Sequence, residues 1–188
     1  MRDRNNGIVV FVFILFAALT TDAATYRRMS IDALVQGSDY VIYGRVIESR
    51  PLWDSATRSI WTSTEVLVLD GPKGQAGTTL TVTEPGGILN GVGELYPGTP
   101  RFHVDQEVVL FLYRAPGNRM RVTGLQQGVY QVSIDQQTGE RLVRPTLPQP
   151  EVVYEEGSPS ARAAIRQTPG LDKLSHFLYT LRQKSLNR

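Results

Sequence analysis

The 188-residue chain has no cysteine and only two histidines, His103 and His176. The missing cysteines remove thiol nucleophiles, thiolate metal sites and disulfide staples together. A catalytic zinc takes three protein ligands, usually drawn from histidine and cysteine, and two distant histidines do not supply them. No loop carries the alternating acidic spacing of a calcium site, so no metal and no cofactor is expected. Gly-x-Ser-x-Gly is absent, and no serine is marked as a nucleophile by its surroundings. A phosphate-cradling loop would need Lys followed by Ser or Thr at the opening of a helix, which the chain also lacks. A formal net charge of +2 is too weak to point to nucleic acid.

One long apolar run is present, and it stands at the N-terminus. Arg2 and Arg4 precede Ile8 to Leu19, and small residues follow through Thr21-Asp22-Ala23-Ala24-Thr25. Basic, apolar, then small is the layout of a secretory signal peptide. The run is 12 residues long, short of the roughly 20 that a bilayer span requires. Cleavage near Ala23 or Ala24 is expected, leaving a secreted or periplasmic protein with no stable membrane insertion. A cysteine-free exported domain holds together by burial alone, which suits a bacterial protein better than an animal extracellular one. Four segments are expected: a signal peptide over 1–24, a barrel over 25–144, a Pro-rich arm over 145–170 and a helix over 171–186.

Within the domain the patterning is that of strands. A short helix is predicted at Ile31 to Gln36, with Ser30 as N-cap and Gly37 as stop. Tyr40 to Ile47 is rich in β-branched and aromatic residues, and Gly44 inside it predicts a bulge. A second strand runs from Arg58 to Leu69, and the cluster Asp70-Gly71-Pro72-Lys73-Gly74 reads as the turn that ends it. Thr79 to Thr83 alternates, whereas Glu107 to Tyr113 hardly does and reads as a central strand covered on both faces. Further strands carry Met120 to Val122, Tyr130 to Ile134 and Arg141 to Val143, the last two joined by a turn over Asp135 to Gly139. Six or seven short strands without an intervening long helix predict a small antiparallel barrel or sandwich. The C-terminal helix places Leu171, Leu174, Phe177, Leu178 and Leu181 in one amphipathic stripe, with His176 opposite. From Gly157 onward six basic residues face one acid, Asp172, a solvated face or a contact with an anionic surface.

The segment Pro85 to Gly98 is the most unusual, with five glycines in 14 residues. It reads as a long flexible loop of the kind that carries function. Gly86, Gly87 and Tyr96 belong to it, and Arg101 and His103 follow closely. Trp53, in the connection between the first two strands, combines with Trp61, Tyr96 and Phe102 into a candidate aromatic platform for sugar or peptide. His103 with Asp105 offers the base and acid of a hydrolase, without a nucleophile.

Several phrases together resemble a group of uncharacterised secreted bacterial proteins with an OB-like barrel. They are Asp39 to Val46, Thr64 to Gly74, Pro85-Gly86-Gly87, Gly98 to Phe102, Glu107 to Leu112 and Gly124 to Gly128. The resemblance implies a fold and no activity. A looser one is to the netrin-like or TIMP-like barrels that inhibit metalloproteases. That mechanism uses an N-terminal cysteine, which this chain lacks. The expectation is a non-enzymatic binding module for a protein or glycan outside the cytoplasm, contacting it through Trp53, Gly86, Gly87, Tyr96, Arg101 and His103. The alternatives are a regulator or inhibitor of a co-secreted peptidase, and a hydrolase using His103 and Asp105. Oligomeric state stays open.

Overall fold

A computed structural model describes residues 28–74, 77–147, 151–153, 164–166 and 171–186. The expected signal peptide, and much of the Pro-rich arm, lie outside the described residues. The chain is mainly β, with a short N-terminal helix and a longer C-terminal one. Helix α1 (Ile31–Gln36) opens on Ser30, whose side chain accepts the Ala33 N–H. It ends at Gly37, as expected, with φ −78°.

The strands follow in order: β1 (Tyr40–Asp54), β2 (Ser59–Lys73), β3 (Thr79–Pro85), β4 (Gly87–Leu89), β5 (Val92–Glu94), β6 (Glu107–Ala115), β7 (Arg119–Val122), β8 (Val129–Ile134) and β9 (Arg141–Pro145). In the arm, β10 (Glu151–Val153) pairs antiparallel with β11 (Ala164–Arg166). The two-residue β12 (Asp172–Lys173) then covers β9 and leads into helix α2 (Leu174–Leu186).

Pairings in the main sheet return on themselves. β1 bonds β2, β2 bonds β3, β3 touches β7, β7 bonds β6, and β6 bonds β1 again. This is the circuit of an OB-like barrel, but it is partly open. β3 and β7 share one bridge, Val82 opposite Met120, and that pair is parallel, not antiparallel. From β6 the sheet continues outward through β8, β9 and β12.

Two features of the ladder differ from expectation. β1 and β2 are 15 residues each, far longer than the short strands foreseen. The cluster Asp70 to Lys73 does not end β2: register shifts around Tyr43 and Gly44 let the ladder absorb it, so that Lys73 still faces Val41. Gly44 stands at this bulge because a Cβ there would meet the Leu67 carbonyl oxygen at 2.6 Å.

β6 explains why there is no alternation between Val108 and Leu112. Val108, Leu110 and Leu112 face the barrel interior with Val66, Val82 and Met120. Val109 and Phe111 face outward into a second core with Leu34, Tyr130 and the apolar stripe of α2. All five are fully buried, and each such side chain contributes about 1.5–3 kcal/mol. Phe177 stacks on Tyr130 with ring centroids 4.9 Å apart. Leu171, foreseen in the stripe, lies before the helix and is exposed. Among the described residues the basic C-terminal side chains are engaged: Lys173 pairs with Glu140, Arg182 with Asp70, and Lys184 with Asp32 of α1. Of these, Arg182–Asp70 joins α2 to β2 and Lys184–Asp32 joins it to α1.

Candidate functional site

The glycine-rich segment is not a structureless loop. Leu89 and Val92 pair across Asn90-Gly91, which closes β4 and β5 into a two-residue hairpin. Both turn residues have positive φ, 51° and 79°, as a type I′ turn demands, and Asn-Gly is its preferred sequence. That dipeptide between apolar residues was the available signal, and a reading built on glycine content alone passes over it.

The hairpin is tied to the barrel where β3 ends. Gly86 donates its N–H to the Ile60 carbonyl at 2.7 Å, and the Glu94 carboxylate accepts the Ile60 N–H at 3.0 Å. Together they extend the ladder past Pro85. Thr62 Oγ1 donates to the Gly86 carbonyl at 2.6 Å. No side chain fits at the two glycines. A Cβ on Gly86, at φ 91°, would stand 2.7 Å from the Glu94 carbonyl oxygen and 2.8 Å from Arg101 Nη2; one on Gly87 would stand 2.8 Å from Thr62 Oγ1.

Arg101 completes this junction. Its Nη1 donates to Thr62 Oγ1 at 3.4 Å and its Nη2 to the Glu94 carbonyl at 3.3 Å. Tyr96 lies beside it, its ring edge 3.2 Å from where a Gly86 Cβ would be. Gly86, Gly87, Tyr96 and Arg101 are therefore brought together as foreseen, around Thr62 and Glu94, which sequence reading missed. Trp53 pairs with Ile60 in the β1–β2 ladder. By strand alternation it shares a face with Pro51 and Ile60, the residues against which Gly87 packs.

Above this anchored base the hairpin presents apolar side chains to solvent. Leu95 is 82% exposed, Ile88 73% and Val92 62%. Tyr96 and Trp53 are exposed as well. By strand alternation Ile88 shares a face with Gly93 and Val92 stands on the opposite one, while Leu95 follows β5 directly, so exposed apolar side chains flank one short ordered element on both sides.

Other foreseen groups lie elsewhere. Phe102 is buried in the barrel core, so it is no part of a platform. Trp61 is half-buried: Arg119 Cζ lies 4.5 Å from its ring centroid and Arg121 Cζ 5.6 Å, while its Nε1–H donates to Thr57 and Ser59. Arg119 in turn pairs with Asp54; its guanidinium outweighs partial burial and, with the Ala56 N–H and Thr57, holds that carboxyl below its usual range. Of the four foreseen aromatics, Trp53 and Tyr96 are the exposed ones. His103 is exposed; its backbone N–H binds Gln106 Oε1, and its ring forms no hydrogen bond with Asp105, which itself sits at φ 67°. Base and acid are not assembled. Among the described residues no three metal-ligating side chains converge, and no helix is long and apolar enough to cross a membrane.

No family model, curated protein or solved structure matches this chain.

Proposed function

We propose that this chain is a non-enzymatic binding module that acts outside the cytoplasm and contacts a protein partner through the β4–β5 hairpin. The observation that carries this reading is the contrast within the hairpin. Its base is locked to β2 by Gly86, Glu94 and Thr62, while Ile88, Val92 and Leu95 project into solvent. A rigid element holding apolar side chains in water gains by burying them against a partner, and little ordering entropy opposes that gain. Three aliphatic side chains fit the apolar surface of a protein better than a sugar ring, which prefers flat aromatics flanked by hydrogen-bonding groups. The extracellular setting rests on the N-terminal pattern of Arg2, Arg4 and the apolar run to Leu19.

The test is capture from secreted and envelope fractions with the wild-type chain and with an Ile88→Ser/Leu95→Ser variant. Proteins retained by the wild type should be lost with the variant, whose melting temperature should stay the same because both side chains are exposed. Equal retention by the two baits would refute the reading.

A further inference from the structure

We propose that the partner presents an acidic side chain to Arg101, so that the hairpin recognises apolar residues flanking a carboxylate. This rests on the hairpin being the binding surface and adds the chemistry of the partner. Arg101 is held by two neutral oxygens, Thr62 Oγ1 and the Glu94 carbonyl, at 3.4 and 3.3 Å. Among the described residues no carboxylate of the chain pairs with it. A guanidinium has five N–H donors, and these two bonds leave the others and the whole charge uncommitted. Among the arginines of the sheet, Arg45 and Arg141 share Glu107, Arg119 takes Asp54 and Arg121 takes Glu84; Arg114 and Arg144, like Arg101, bond neutral oxygens, those of Asn118, Tyr40 and Gln131.

Position matters as much as charge. Arg101 Nη2 lies where no side chain but that of glycine leaves room, against Gly86. Its fork thus lies at the base of the apolar hairpin, against Gly86 and beside Tyr96. A planar guanidinium presented in this way binds a carboxylate through two parallel hydrogen bonds. The neighbouring apolar surface excludes water once a partner is seated and strengthens the pair. The partner that fits is a protein segment with an aspartate or glutamate between apolar residues. Acidic glycans share the carboxylate but not the aliphatic complement.

The experiment is fluorescence anisotropy with the purified chain and two labelled synthetic peptides. One is built of leucine, serine and glutamate, and the other replaces every glutamate by glutamine. The glutamate peptide should bind about tenfold more tightly, a difference of the size expected for one charge-assisted pair. Arg101→Gln should abolish that preference. Arg144→Gln, which removes an arginine bonded to the neutral Gln131 Oε1, should preserve it and so exclude a net-charge effect. Ile88→Ser/Leu95→Ser should weaken both peptides alike. Equal affinity for the two peptides, a preference that survives Arg101→Gln, or tighter binding of oligogalacturonate would each overturn the proposal. Failure of both peptides to bind would also overturn it, while the protein-binding reading would still stand or fall by the capture experiment.

Discussion

Glu84 Oε1 accepts a hydrogen bond from the backbone N–H of Val122 at 2.6 Å, just past the single bridge that joins β3 to β7. A side chain does here what the backbone ladder does not, and it adds a bond between β3 and β7. The carboxylate is 3% exposed. Burial pushes its pKa up, against the Val122 N–H and the Arg121 guanidinium, which favour the charged form.

Two substitutions separate the acceptor from the charge. Glu84→Ala leaves the Val122 N–H without its acceptor and should destabilise the fold by about 1–3 kcal/mol. Glu84→Gln keeps an acceptor and removes the buried charge, so its loss should be smaller. Because the folded pKa lies above the ordinary 4.5, stability from this group is complete below that value and falls as pH rises through the folded pKa. The wild type should therefore gain on Glu84→Gln as pH is lowered from 7 towards 4. Denaturant midpoints across that range measure the difference.

A second carboxylate behaves in the opposite way. Glu107 is opposed by burial, but the Tyr43 hydroxyl and the Arg141 and Arg45 guanidinia outweigh that and hold it at about 2. Its contribution is present above 4.5 and lost as pH falls towards 2, on the order of 2–3 kcal/mol. Burial, with the Glu107 charge beside it, pushes Tyr43 up to about 12. Its neutral form stabilises the fold up to pH 10, and that stability is lost between 10 and 12. Tyr43→Phe should flatten the alkaline limb of a pH–stability curve, and Glu107→Gln the acid limb. If both limbs were unchanged, the network would contribute nothing measurable.

Helix α2 is predicted to be part of the fold and not an appendage. Phe177→Ala removes a buried ring stacked on Tyr130 and should cost about 3–5 kcal/mol. Leu171→Ala, at an exposed position just before β12, should stay within about 0.5 kcal/mol of wild type. Urea unfolding of both variants gives the comparison.

Much of this fold was legible where local chemistry decides. Ser30 capped its helix, Gly44 marked its bulge, and the unbroken apolar run of β6 reflected a strand shared by two cores. What escaped reading depends on partners distant in sequence. Asp70 to Lys73 looks like a turn, and only the register shift opposite Tyr43 keeps it in the ladder. Trp61 looks like a core or platform residue until Arg119, far along the chain, lies over its ring. Leu171 has the spacing of its helix stripe, but pairing of Asp172 and Lys173 with β9 delays the helix start to Leu174. In the site, the cluster Gly86, Gly87, Tyr96 and Arg101 was visible as an unusual segment. Thr62 and Glu94 were not, because their roles are bonds to a neighbouring strand.

The most direct test of the hairpin as the binding surface is site-specific photocrosslinking in the producing cells. A photoreactive amino acid is placed at position 95 in one variant and at position 138, in the exposed turn before β9, in another. A discrete covalent adduct with one protein from position 95, and none from position 138, is the predicted result. No adduct from 95, or the same adduct from both positions, would contradict the account.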